Sequence, residues 1–198
     1  MKEYTIIRTA DTVNASGIPE AQIDTILWLP DAGIRAAARV TYDDSALHVL
    51  LKAKEKAVRA EHTGRYGMPC EDSCLEFFFR PLSEDSRYIN LEFNPNASFY
   101  AGIGHCGKDL IRILPDPGLF QAMPERTQDG WQISYRVPYT FIRMFFPSFS
   151  PKEGGIMYGN FFKCGDLTEK EHYLSWNPVT SEQPDFHRPQ DFGLMRFL

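Results

Sequence analysis

Apolar residues recur at every second position along much of this chain, and the three-to-four spacing of a helix is scarce. Val40 and Tyr42 alternate with polar neighbours, Asp43-Asp44-Ser45 follows as a turn-forming triplet, and Leu47, Val49 and Leu51 resume the alternation. This predicts a hairpin of residues 39–42 and 47–51. Gln128-Asp129-Gly130 precedes a segment apolar at every odd position: Trp131, Ile133, Tyr135 and Val137. That predicts a half-buried strand entered through a tight turn. Residues 139–146 predict one short helix, which Pro147 ends. Short strands and loops fill the remainder. The expected fold is an all-β antiparallel sandwich, with jelly-roll or immunoglobulin-like layering and one or two short helices.

Residues 73–103 carry the most information. Leu75, Phe77 and Phe79 share one strand face, with Cys74, Glu76 and Phe78 on the other. Residues 88–94 alternate again: Ile89, Leu91 and Phe93 against Tyr88, Asn90, Glu92 and Asn94. Pro95-Asn96 then turns the chain into residues 98–103, where Phe99, Ala101 and Ile103 are apolar and Tyr100 points oppositely. If the three strands form a meander, parity fixes the faces, because side chains alternate with period two. Glu76, Asn90, Glu92, Asn94 and Tyr100 then share one polar face. The simplest register sets Glu76 opposite Glu92, with β-carbons about 5 Å apart. Like charges so placed repel unless a cation, a proton or a ligand hydroxyl separates them. Two carboxylates, two amides and a phenol suit a hydroxyl-rich ligand. Alternation alone, however, favours the simpler reading of a solvated sheet face.

The 198 residues suit one domain, residues 1–198. Aromatics make up 14%, weighted to 15 Phe, which favours strands. The net charge of -5, with no basic stripe, argues against nucleic acid. No apolar run approaches the roughly 18 residues of a membrane span. The opening residues lack the apolar core of a secretory leader, which points to the cytoplasm, or to secretion if the natural chain begins earlier. Cys70, Cys74, Cys106 and Cys164 lack paired C-x-x-C spacing. Free thiols are expected, and a zinc site is the lesser alternative. Gly102 to Gly107 spells a dinucleotide-binding pattern, but residues 108–115 are too short and β-branched for the helix it requires. Trp28 and Trp131 sit in apolar alternation and are expected in the core. Trp176 stands before Asn177-Pro178 in a polar region, where a buried and an exposed role are equally open.

Several segments together resemble family 9 carbohydrate-binding modules. Asp72-Ser73 leading into Glu76-Phe77 is similar to one family strand; residues 89–94 and Tyr100-Ala101-Gly102 are similar to the next two. Residues 131–138 resemble a segment that opens on tryptophan and ends on proline, and residues 157–163 keep a family asparagine at Asn160 with Lys163 in place of arginine. Leu174-Ser175-Trp176-Asn177-Pro178, Phe186-His187-Arg188-Pro189 and residues 192–197 resemble its closing signature. The resemblance spans roughly residues 25–198. It implies a β-sandwich that grips a mono- or oligosaccharide, or a glycan chain end, without cleaving it; some members also hold structural calcium. Carried over by position, the implied sugar contacts are Trp176, Glu76, Glu92 and Asn94, with Asn90 and Tyr100 beside them. A flat indole covers the C–H face of a pyranose while carboxylates and amides bind its hydroxyls. Two positions depart from the pattern. Cys70 replaces the first of two family tryptophans, leaving Tyr66 or Tyr100 as substitutes, and Glu92 stands where an arginine is matched.

Three rival functions are open to the same residues. A retaining glycosidase needs two carboxyls about 5–5.5 Å apart, which Glu76 and Glu92 could provide. Haem could be held by Met68 and His187, although His187 suits a structural hydrogen bond in its loop. A protein-interaction sandwich would expose an apolar patch instead of a polar cleft.

Overall fold

The computed structural model describes residues 1–14 and 16–198. Its strands are β1 (Glu3–Arg8), β2 (Ala21–Ile23), β3 (Thr25–Ile26), β4 (Arg35–Tyr42), β5 (Ala46–Lys54), β6 (Cys74–Arg80), β7 (Tyr88–Phe93), β8 (Phe99–Gly104), β9 (Ile111–Ile113), β10 (Met123–Thr127), β11 (Gly130–Pro138), β12 (Ile156–Cys164), β13 (Tyr173–Ser175) and β14 (Gly193–Phe197). Among the described residues one α-helix, α1 (Tyr139–Arg143), accompanies them. It stops short of Phe146 because its last turn tightens, with Met144 N–H donating to Phe141 O, before Pro147 ends the pattern. Among the described residues no helix is long and apolar enough to cross a membrane.

The strands curl into two layers in the order β10-β11-β5-β4-β1-β14-β12-β6-β7-β8-β9, with β2 beside β4 and β13 joining β12 to β3. β1 belongs to both layers. Residues 3–6 pair with β14 and residues 7–8 with β4, each in parallel. These are the only parallel pairs among the described residues. β1 reaches both neighbours through long connections, so no tight hairpin forces it to run antiparallel.

Side-chain chemistry explains the pairings. Asp43 Oδ1 accepts the Ser45 and Ala46 N–H groups at 2.6 and 2.9 Å, an Asx turn that sets Val40 opposite Val49 in the β4–β5 hairpin. In the β6–β7–β8 meander, Phe77 pairs with Leu91 and Leu91 with Ala101, as parity requires. The apolar faces of the two layers meet in one core that holds Val49, Leu51, Phe77, Leu91, Trp131, Ile133 and Phe161. Phe77 stacks on Phe79 and on Phe161, each with ring centroids 4.8 Å apart, which accounts for the phenylalanine-rich composition.

Trp176 belongs to this core. It continues the phase of Leu174, is 4% exposed, and packs against Tyr4 and Phe161 at centroid distances of 6.2 and 5.7 Å. The exposed Trp176 implied by the family resemblance is therefore corrected: strand parity carries past Ser175 and turns the indole inward. Gly193 lies under the ring, and a β-carbon there would overlap it. Gly193→Ala is expected to cost about 1–3 kcal/mol through overpacking, measurable by denaturant unfolding.

A second apolar cluster lies on the opposite face of β6, β7 and β12. Phe78, Tyr88 and Phe162 are covered there by Leu27, Phe186 and Phe192. The face that alternation favoured as solvated is instead partly roofed, by the β3 exit and the segment ahead of β14.

Candidate functional site

Under that roof lies a cavity of about 360 Å³, near the lower end of the roughly 300–1,000 Å³ typical of small-molecule sites. Its floor comes from the polar positions of the meander. Glu76 pairs directly with Glu92, and Glu92 with Tyr100, in the register expected from parity. Glu76, Glu92 and Tyr100 all line the cavity, together with Cys70, Cys164 and Asp166. Trp28, Phe78, Tyr173 and Phe186 supply aromatic walls, and Met68 and His187 complete the rim.

The other expected contacts lie elsewhere. Asn90 is fully buried and donates to Glu92 Oε1 at 2.7 Å, so it orients a wall residue without lining the cavity. Asn94 organises the turn after β7. Its Oδ1 accepts from the Asn96 and Ser98 N–H groups at 3.0 and 2.9 Å, and its Nδ2 donates to His62 O and Asp72 Oδ2. Every polar atom of that side chain is occupied, so Asn94 as a ligand contact is corrected. Tyr66 is 73% exposed and outside the cavity, whereas Tyr100 stands in the wall with the Arg112 guanidinium 4.6 Å from its ring centroid. Arg112 thus brings an arginine beside the site from a strand the sequence comparison did not single out. Lys163 faces the core, where its Nζ lies 3.2 Å from Glu55 Oε2 and 2.7 Å from His172 Nε2. Burial and the Lys163 charge hold His172 down at about 4, so the neutral ring accepts from the ammonium at Nε2 and donates Nδ1–H to Lys170 O. His187 bonds Tyr88 through Nδ1 at 2.7 Å and stacks on Phe78, a structural role in the roof.

Trp28, expected in the core, is placed elsewhere by the structure. It is half-buried, lines the cavity, and packs on Tyr173 and Phe186 with centroids 5.5 Å away in both cases. Its Nε1–H donates to Ser181 O at 2.8 Å, pinning the ring to the roof. Its φ is 54°, a left-handed conformation rarely adopted by a bulky side chain and costing about 1–3 kcal/mol. A signal was present: Trp28 directly precedes Leu-Pro-Asp-Ala-Gly, a turn composition that ends an alternating segment.

The carboxyls are protonated more readily than usual. Burial pushes Glu76 up to about 7, and burial together with the neighbouring Glu76 charge holds Glu92 well above the ordinary carboxylate range. Asp166 is also raised, chiefly by burial. Near neutrality the Glu76–Glu92 pair therefore retains a proton and presents both a donor and an acceptor. In the unfolded chain these groups ionise near 4.5, so above that pH the folded state binds more protons than the unfolded. Their contribution to stability is complete below about pH 4.5 and is lost as pH rises through about 7 and beyond. Thermal melts are expected to fall between about pH 5 and pH 8, and Glu92→Gln is expected to flatten that slope and raise the melting temperature at the alkaline end. A variant as pH-sensitive as the parent chain contradicts this origin.

The model of carbohydrate-binding family 9 matches residues 9–197. Among curated proteins none matches the chain. Three solved structures are similar over nearly their whole length. A protein from Bacteroides uniformis assigned to carbohydrate binding is 26% identical, with a TM-score of 0.84, covering 100% of this chain and 99% of its own. A family 9 module from Caldicellulosiruptor kristjanssonii in complex with cellotriose is 15% identical, with a TM-score of 0.68 and coverages of 99% and 93%. A family 9 module from the same organism in complex with glucose is 15% identical, with a TM-score of 0.70 and coverages of 100% and 96%.

Proposed function

The chain belongs to carbohydrate-binding family 9, and from that premise we propose that the roofed cavity binds a free mono- or oligosaccharide, or the end of a glycan chain, without cleaving it. The carrying observation is the cross-strand Glu76–Glu92 pair, with Tyr100 opposite Glu92, lining one cavity with the aromatic wall of Trp28. Donor and acceptor carboxyls match the dual character of sugar hydroxyls, and the indole matches the apolar C–H face of a pyranose. The modest volume suits a chain end better than a continuous chain. Glucose and cellotriose, the ligands of the Caldicellulosiruptor modules, are the first sugars to try.

Retaining glycoside cleavage needs one carboxylate ionised as the nucleophile, and burial of both Glu76 and Glu92 opposes this. An assay with aryl glycosides is expected to release no aryl alcohol. Four free thiols, two of them buried, support a reducing compartment such as the cytoplasm. A glycan array followed by calorimetry tests the function itself. Saturable binding of at least one short glycan or monosaccharide is expected, with Glu76→Gln and Tyr100→Phe weakening it; absence of binding across the array contradicts the proposal.

A further inference from the structure

Two thiols and a carboxyl converge at the floor of this cavity. Cys74 on β6 and Cys164 on β12 stand directly opposite each other in the antiparallel ladder. Glu76, two residues along β6, projects from the same face. One sulfur from each cysteine and one Glu76 oxygen lie within 4.8 Å of one another, and Cys164 Sγ donates to Glu76 Oε1 at 3.0 Å. All three residues are buried, at 0%, 2% and 2% exposure for Cys74, Cys164 and Glu76. A second observation is independent of this convergence. Glu76 Oε2 is buried without any hydrogen-bond partner, although Glu76 lines the cavity. A buried carboxyl oxygen with no partner is costly, and an ion is one of the few things that satisfies it.

We propose that Cys74, Cys164 and Glu76 form a binding site for a thiophilic divalent cation of the zinc class, with a fourth coordination position open to the cavity. Zinc takes sulfur at about 2.3 Å and carboxylate oxygen at about 2.0–2.2 Å in tetrahedral geometry, which sets its donors roughly 3.3–3.8 Å apart. The observed convergence needs only small side-chain adjustments to reach that spacing. Calcium, which the family resemblance allows, takes six to eight oxygen ligands; two sulfurs and one carboxyl do not fit it. Binding is a ligand exchange without redox change. The cation forms one bond to each sulfur and one to the Glu76 oxygen, and each thiol proton, with any carboxyl proton, leaves to the buffer. Glu76 and Cys164 line the cavity while Cys74 lies behind them, so the fourth position points towards the cavity, where a water or a ligand hydroxyl completes the set.

The cation site shares Glu76 and the cavity with the sugar reading but does not rest on it, and its test contains no sugar. The full chain, reduced and stripped of metal, is titrated with Co²⁺ and then with Zn²⁺. A thiolate-to-cobalt charge-transfer band saturating at one equivalent, and displaced by Zn²⁺, is expected. The band should persist in the double variant Cys70→Ser/Cys106→Ser, in which only Cys74 and Cys164 can supply sulfur. It should vanish in Cys74→Ala and Cys164→Ala, and Glu76→Gln should lower Zn²⁺ affinity by at least tenfold. Should either alanine variant fail to fold, the double variant decides alone. No charge-transfer band in the reduced parent chain overturns the proposal, as does a band lost in the double variant or retained in folded Cys164→Ala. Isolation of a Cys74–Cys164 disulfide whose reduced form binds no metal overturns it equally.

Discussion

Trp176→Ala is expected to destabilise the fold by about 3–5 kcal/mol while leaving the sugar affinity of the folded protein nearly unchanged. The indole is almost completely buried between Tyr4 on β1 and Phe161 on β12, over Gly193 on β14. Truncation removes apolar contact from three strands at once. It leaves a cavity that the ladders cannot collapse to fill, because each strand is fixed by its register. Denaturant unfolding should show a lower midpoint with little change in slope, the sign of lost stability without a change in the surface exposed. Calorimetry below the variant's transition should still detect the ligand. A normal midpoint with abolished binding would instead make Trp176 the stacking platform that its sequence position resembles.

The reverse outcome is expected for Trp28→Ala: binding weakened by about 2 kcal/mol or more, roughly 30-fold, with a modest effect on stability. Trp28 is half-buried at the cavity wall and outside the main core, so its truncation removes ligand contact more than core packing. Its left-handed backbone already carries strain, and the Ser181 hydrogen bond holds the ring in place against it. An aromatic ring maintained in an unfavourable conformation beside a polar pocket points to a functional constraint. Trp28→Gly relieves the backbone and should be at least as stable as the alanine variant, with the same loss of binding. Thermal melts and calorimetry on both variants check the pair. Unchanged affinity in both places the platform elsewhere, on Tyr100, Tyr173 or Phe186.

Strand alternation made the central sheet legible because one face of each strand must meet the core. Parity alone placed Leu75, Phe77, Phe79, Ile89, Leu91 and Phe93 inward and set Glu76 opposite Glu92. What lies over the other face depends on contacts between residues far apart in the chain. Phe186 stacks on Phe162 at 4.2 Å, and Trp28 reaches Ser181, 153 residues away. No local pattern reports such pairings, so the roof was not visible and the polar face read most simply as solvated. The tryptophans exchanged roles for the same reason. Trp28 follows an alternating segment but leaves its phase at a left-handed turn, whereas Trp176 stands in a polar-looking segment but keeps the phase of Leu174. Asn94 is a subtler case. It has the strand parity of Glu92, but it sits where the ladder ends, and its amide is consumed by the turn.

The most direct test of the sugar-site account uses the indole N–H signals of Trp28, Trp131 and Trp176 in a two-dimensional ¹H–¹⁵N spectrum, assigned through single Trp→Phe variants. During titration with glucose, cellotriose and any glycan selected by the array, the Trp28 signal is expected to move saturably, while Trp131 and Trp176, both held in the core, stay in place. A Trp176 signal that moves while Trp28 does not, or three signals unmoved by a sugar that calorimetry shows to bind, would contradict a sugar site beneath the Trp28 wall.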